Sequence, residues 1–325
     1  MSDSLSKHTR LGPGLEFDRI RRIAAALGDR AGGLGDDCAI LPGREGGEIA
    51  LSTDISVEGV HFRREWLSLE EIGWRSAAAA LSDLAAAAAA PIGLLAAIVI
   101  PEHLEGDATE RLMAGVGGAA AMSGATVLGG DLSSGAVLSL TITVVGSVGR
   151  RVSRAGARAG DLLWVTGRLG GARSALEQWR GGKEPDRDAR HAFAKPEPRI
   201  AEGRWLLERG AHALIDLSDG LAGDVRHIAA ASSVGCVVNL NALPVHASVA
   251  AGAELAGQSV GVFAAIGGED YELLAAMPES FTPEAHRFTV DFGIPLTNIG
   301  VMEDGPVRFS LDGEAIEVQG YSHFQ

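Results

Sequence analysis

One stretch constrains this chain more than any other. Residues 68–101 read SLEEIGWRSAAAALSDLAAAAAAPIGLLAAIVIP, and beyond Arg75 they carry a single charge, Asp83. Alanine is the strongest helix former, so residues 68–90 read as one long helix. Its small apolar side chains leave no polar face, so it must be buried. The uncharged run 84–101 reaches the length of a membrane span. Pro91 and Gly93 split it, however, which predicts the end of a buried helix, a turn and a buried strand over 94–100.

The rest of the composition agrees with a packed two-domain protein. A chain of 325 residues suits about two domains and can bury a core without disulfides. It has 44 glycines and only 5% aromatic residues, so much of it is glycine-turned backbone with small side chains. The formal net charge is −14, from 42 acids and 28 bases, of which only Lys7, Lys183 and Lys195 are lysines. That balance disfavours a general binder of nucleic acid or anionic membranes and permits a collector of cations. Cys38 and Cys236 stand at no metal-ligand spacing, and residues 1–10 hold no apolar run. Both observations suit a reducing cytoplasm.

Along the chain, 16–27 reads as a first helix and 49–52 as a strand ending at Thr53-Asp54. A helix is expected over 107–123, a short strand over 126–128 stopping at Gly129-Gly130-Asp131, and a longer strand over 137–148. The last alternates, with Leu138, Leu140, Ile142 and Val144 on one face. The polar, glycine-punctuated segment 149–160 marks the expected domain boundary, dividing the chain into 1–150 and 151–325. In the second half, strands are expected at 161–166, 213–215, 237–240, 262–266, 273–276 and 298–301. Helices are expected through Gln178, over 199–209 and after Gly220, with a charged loop over 181–190. The order of elements predicts an α/β (α+β) chain of two domains rather than one doubly wound sheet.

The acids fall in a pattern. Asp36/Asp37, Asp54, Asp83, Asp131, Asp216 and Asp219 sit among small apolar residues, mostly at expected strand ends or glycine turns. Any one of them suits a helix cap or a turn. Six such sites with few nearby lysines suggest convergence. Two carboxylates about 4 Å apart repel by roughly 4 kcal/mol at an effective dielectric of 20, so a converged set needs cations. Oxygen-only ligands select hard ions, Mg²⁺ first where phosphates share the site. Ser52, Thr53 and Ser218 add neutral oxygens beside Asp54 and Asp219. Gly130 would let a backbone N–H approach a phosphate, and Arg154 lies within reach of one across the boundary. No Walker loop, protein-kinase signature, nucleophile elbow or zinc-protease motif is present.

Taken in order, these pieces resemble one family, the thiamine-monophosphate kinases of the aminoimidazole-ribonucleotide synthetase (PurM-like) superfamily. The carrying segments are GLGDDCAIL (33–41), STDISVEGVHF (52–62), LSDLAA (81–86), GGD (129–131), SRAGARAGD (153–161), IDLSDGLAGD (215–224), GGEDYELL (267–274) and GYSHF (320–324). The resemblance implies ATP-dependent phosphorylation of thiamine monophosphate to thiamine diphosphate, with several Mg²⁺ ions between two domains. It implies a PurM-like N-terminal domain whose mixed sheet pairs into a β-barrel across a homodimer, and an α/β C-terminal domain. Asp37, Ser52, Thr53, Asp54, Asp83, Asp131, Asp216 and Asp219 match the family's metal positions, with Asp54, Asp83, Asp131 and Asp216 central to catalysis. Gly130, Arg154 and Ser218 match ATP contacts; His61, Glu269 and Tyr321 match contacts to the thiamine phosphate. Ala80, the 85–90 alanines and Met113 depart from the family pattern near the nucleotide.

The residues set expectations of mechanism too. A phosphate acceptor is already ionised at neutral pH, so no strong general base is needed and direct in-line transfer without a phosphoenzyme is expected. Read alone, His61 between Val60 and Phe62 suits a packed core residue, and Tyr321 suits a docked terminus. Arg19, Arg21 and Arg22 suit a solvated helix face. The nearest alternative is another ATP-dependent synthetase of the superfamily, of the purine-pathway, selenophosphate or hydrogenase-maturation type. A selenophosphate enzyme would want a reactive Cys before Cys38, and a maturation protein a C-terminal Cys; neither is present.

Overall fold

A computed structural model describes residues 9–32, 34–43, 46–104, 106–318 and 320. After helix α1 (Leu15–Leu27), strands β1 (Ala39–Pro42) and β2 (Glu48–Val57) form a hairpin. Helix α2 (Leu69–Ala86), strand β3 (Ala90–Ile100), helix α3 (Ala108–Met122) and strands β4 (Thr126–Ser134) and β5 (Ser139–Val148) complete the first unit. Its five strands lie in the order β1-β2-β5-β3-β4, with only the β3–β4 pair parallel. Leu138, Leu140, Ile142 and Val144 are fully buried and share a core with α2 and α3, as their alternation predicts.

The alanine-rich segment is a helix, a turn and a strand, but the turn comes early: α2 ends at Ala86, residues 87–89 turn, and Pro91 and Gly93 lie inside β3, a strand that is buried on one face only. Ser68 and Glu71 form a capping box that starts α2. Thirteen of its 18 residues are buried. Among the described residues no helix is long and apolar enough to cross a membrane.

The second unit carries β6 (Leu162–Thr166), α4 (Gly171–Arg180), α5 (Arg187–Ala194), α6 (Ile200–Glu208), β7 (Ala213–Asp216), α7 (Leu221–Ser232) and β8 (Gly235–Asn239). It ends with α8 (Val249–Ala256), α9 (Val260–Ala265), β9 (Leu273–Met277), α10 (Ala285–Phe292), β10 (Leu296–Glu303), β11 (Val307–Leu311) and β12 (Glu314–Ile316). The strand order is β12-β11-β8-β10-β6-β9-β7, mixed, with only β8–β11 parallel. Both faces of its centre are buried. Trp164, Leu273, Ala275 and Met277 join the core of the first unit, while Leu163, Val165, Leu274 and Ala276 face a second core under α7 and α9. One hydrophobic core therefore runs from the first sheet onto one face of the second.

Several elements differ from the sequence reading. Strand β2 does not end at Thr53; it runs to Val57 because β5 pairs with it over ten consecutive residues. Strand β4 does not stop at the glycines. It continues to Ser134 along β3, where a side chain at Gly130 would collide with the Ala96 carbonyl. Residues 262–266 are not a strand. The apolar stretch VFAAI misleads, and the Ser259 hydroxyl, which accepts from Val262 N, caps helix α9. The loop expected over 181–190 ends early, because Asp186 accepts from Asp188 N and Ala189 N and opens α5.

Candidate active site

Strand β1 covers only the first half of β2, so Ser52–Val57 is an open edge on that side. This edge forms one rim of a cleft of about 1010 Å³. Helix α2 forms its floor, and the turn after β7 and the 266–272 loop form the opposite wall. On α2, Arg75, Ala79 and Asp83 all line the cleft; they are four residues apart and lie on one helix face.

Asp37, Asp83 and Asp216 converge. Each offers a carboxylate oxygen within 4.8 Å of the others. They come from the loop before β1, the last turn of α2 and the end of β7, so three remote segments build one cluster. Ser52 Oγ donates to Asp83 Oδ2. Arg154 grips Asp37 with two bonds, Nη2 to Oδ1 at 2.7 Å and Nε to Oδ2 at 3.1 Å, while its backbone N donates to Asp36 Oδ1. Asp36, Asp54, Ser218, Asp219 and His61 border the same cleft. Thr53 borders it at the β2 edge, its hydroxyl paired with Thr143 Oγ1 at 3.0 Å.

The electrostatics are those of an anionic site short of cations. Burial, then the neighbouring Asp54, Asp216 and Asp37, pushes the Asp83 carboxyl well above its ordinary value. Burial and Asp37 push Asp216 up to about 7. Asp54 is raised to about 6 by burial, Asp37 and Glu16, and Asp36 to about 6 by burial and Asp37. Crowded carboxylates with raised pKa values suit a hard divalent cation, which supplies the missing positive charge to an all-oxygen set.

Not every expected residue reaches this cleft. Gly130 and Asp131 lie on β4, separated from β2 by β5 and β3. Three strand spacings amount to about 14 Å, which removes them from the cluster within one chain. Asp131 shares a register row with Ala97, Thr141 and Ile55, and it is exposed. Met113 packs against the core rather than the cleft, and Ala80 is fully buried. Tyr321 lies outside the described residues; Gly320 before it borders the cleft.

Other residues at the cleft are absent from the sequence reading. Asp224 lies in the first turn of α7, is buried, and leaves Oδ2 without a hydrogen bond. Burial and Asp219 raise its pKa well above the ordinary range. Its place at the end of the IDLSDGLAGD segment, one turn past Gly220, was the available signal. Arg75 forms an ion pair with Glu269 inside the cleft. Its spacing of eight from Asp83 was legible as helix phase. Phe17 of α1 contacts the His227 ring at 4.0 Å between centroids and brings the N-terminal helix to the cleft mouth. Arg19, Arg21 and Arg22 on that helix are exposed, as expected.

Residues 35–148 match the family model described as AIR synthase related protein, N-terminal domain. Residues 158–310 match the one described as AIR synthase related protein, C-terminal domain. A thiamine-monophosphate kinase of Aquifex aeolicus is 32% identical over 314 residues, spanning 95% of this chain and 98% of that protein. One of Salmonella typhimurium is 34% identical over 320 residues, spanning 95% of each. The chain belongs to the thiamine-monophosphate kinase family. A solved structure described as AaThiL complexed with AMPPCP and TMP superposes with a TM-score of 0.84 at 31% identity, covering 96% of this chain and 97% of that one. A hydrogenase maturation protein complex, HypE-HypF, aligns with a TM-score of 0.77 at 20% identity and shares the fold. For this member of the thiamine-monophosphate kinase family, the carboxylate cluster lies between the two matched segments, drawing Asp37 and Asp83 from the first and Asp216 from the second.

Proposed function

We propose that this chain transfers the γ-phosphate of ATP to thiamine monophosphate and releases thiamine diphosphate. The observation that carries this reading is the convergence of Asp37, Asp83 and Asp216 in one cleft whose other wall bears Ser218 and Glu269. The obstacle in such a reaction is bringing two polyanions together. Asp37, Asp83 and Asp216, with Asp54 and Asp219 beside them, would hold Mg²⁺. Bound there, Mg²⁺ supplies charge neutralisation and in-line alignment of the phosphates.

The chain's own groups do the rest. Arg154 keeps Asp37 oriented and offers a second cation to a nucleotide phosphate. Ser218, which lines the same cleft, would contact the same phosphates. Val57 N–H donates to His61 Nδ1 at 3.0 Å, so in the neutral ring the proton resides on Nε2. His61 is thus arranged as a hydrogen-bond donor to the acceptor phosphate rather than as a base. The acceptor oxygen is ionised at neutral pH, and direct transfer without a phosphoenzyme follows. Glu269 accepts from the amine-bearing ring of the substrate. For Gly130, Asp131 and Tyr321 the support is the resemblance alone.

We also propose several Mg²⁺ ions per site, a domain boundary within 149–160, a cytoplasmic location, and a homodimer whose first sheets pair into a barrel. The first sheet supports the dimer: Ile55, Leu95, Leu128 and Leu132 are 42–62% exposed, and β4 is an edge strand. The test is direct. Pure protein with ATP, Mg²⁺ and thiamine monophosphate is expected to form thiamine diphosphate and ADP in equal amounts. No product at high enzyme concentration, or a phosphorylated side chain formed at the rate of turnover, sinks the reading.

A further inference from the structure

Arg75 is the buried cation of the cleft that the mechanism above does not use. Its residue is 3% exposed. The guanidinium lies over the Phe193 ring at 3.9 Å, and Nη1 donates to the Phe193 carbonyl at 2.5 Å. Its other edge meets Glu269 Oε2. A planar fork can serve a carbonyl and a carboxylate in two fixed directions at once, which an ammonium cannot.

Glu269 needs such a partner. Its φ is +68°, a left-handed conformation that a non-glycine residue adopts only when its surroundings impose it. The backbone of its loop is pinned. Glu269 N donates to Ser218 O at 2.7 Å, Asp270 accepts from Gly170 N, and Glu272 is clamped by Arg199 and Thr166. These bonds fix where the side chain starts. Arg75 fixes where its carboxylate ends.

We propose that Arg75 is a positioning residue that sets Glu269 as the far stop of the acceptor site, with α2 as the ruler. Arg75 and Asp83 are eight residues apart on one helix face, a rise of about 12 Å. The cleft therefore takes an extended acceptor, with a phosphate at the Asp83 end and a hydrogen-bond-donating ring at the Glu269 end. This inference rests on the proposed phosphoryl transfer, and deepens it by naming what measures the acceptor.

The test is a kinetic comparison of Arg75→Gln, Arg75→Lys, Glu269→Gln and the double variant Arg75→Gln/Glu269→Gln, with ATP and thiamine monophosphate varied separately. Arg75→Gln is expected to raise KM for thiamine monophosphate by about tenfold or more, leaving KM for ATP within about twofold. Arg75→Lys should recover part of that loss. The double variant should be no worse than the worse single variant, because one group acts through the other. Equal changes in both KM values, or multiplicative losses in the double variant, overturn the proposal. If Arg75→Gln does not fold, Arg75→Lys must still show the acceptor-only shift, and its absence overturns the proposal equally. A wild-type protein that forms no product refutes the function itself. An active wild type whose Arg75 variants keep a normal acceptor KM refutes only this inference.

Discussion

At the scale of single residues, the cleft is unfavourable as it stands and favourable once cations enter. Asp36, Asp54 and Asp216 have folded-state pKa values near 6, 6 and 7, above the ordinary 3.8. Between about pH 4 and 7 the folded chain therefore holds more protons than the unfolded one. The contribution of these groups to stability is full below pH 4 and falls as pH rises through that window. We expect the melting temperature in EDTA to decline from pH 5 to 7.5. Saturating Mg²⁺ should flatten that decline, because ions occupy the deprotonated cluster. Parallel slopes with and without Mg²⁺ would contradict this. The same logic predicts Asp83→Asn: turnover falls by at least about a hundredfold, yet the melting temperature in EDTA at pH 7.5 stays level or rises. Removing one buried like charge relieves the others. Asp37 was legible as a candidate from its glycine turn, and Asp216 from its apolar place at an expected strand end. Asp131 was equally legible and lies elsewhere, because local context says nothing of which strands become neighbours.

At the scale of elements, α2 carries the site and is held to close tolerance. Gly73 of α2 and Gly115 of α3 face each other's helices; a side chain at Gly73 would collide with Leu112 O, and one at Gly115 with Glu70 O. The two helices thus cross with almost no space between their backbones. Alanine ordinarily stabilises a helix relative to glycine by about 1 kcal/mol. Here we expect Gly115→Ala to destabilise instead, by about 1–3 kcal/mol, because overpacking outweighs propensity. Urea unfolding measures this, and a stabilised variant would refute the crossing. The alanine run announced α2 but not its end, which falls at Ala86 rather than Ala90. By contrast, valine-bearing α9 reads as a strand from its sequence, since six residues offer too little periodicity to separate the two. Strand β2 was cut short at polar residues whose ladder to β5, a non-local fact, outweighs their local preference.

At the scale of the molecule, one core crosses from the first sheet to the second. Trp164, Trp205 and Phe281 join Leu140 and Ile142 in a continuous cluster. A shared core holds the two walls of the cleft in fixed relation, so the cluster is preformed. The exposed apolar positions of the first sheet argue for a second copy. Sedimentation is expected to report a dimer, and Leu132→Asp to shift it toward monomer; a monomeric wild type would contradict the proposed pairing. By itself the sequence determined the buried α2, the alternating face of β5, the two-part α/β organisation and the family. Each depends on short-range periodicity or on ordered motifs that local residues carry. Tertiary structure alone decided that Asp37, Asp83 and Asp216 meet, that Arg75 reaches Glu269, and that Asp131 stays apart. Those outcomes depend on strand order and on a core that joins residues more than a hundred positions apart, and neither is written in any local pattern.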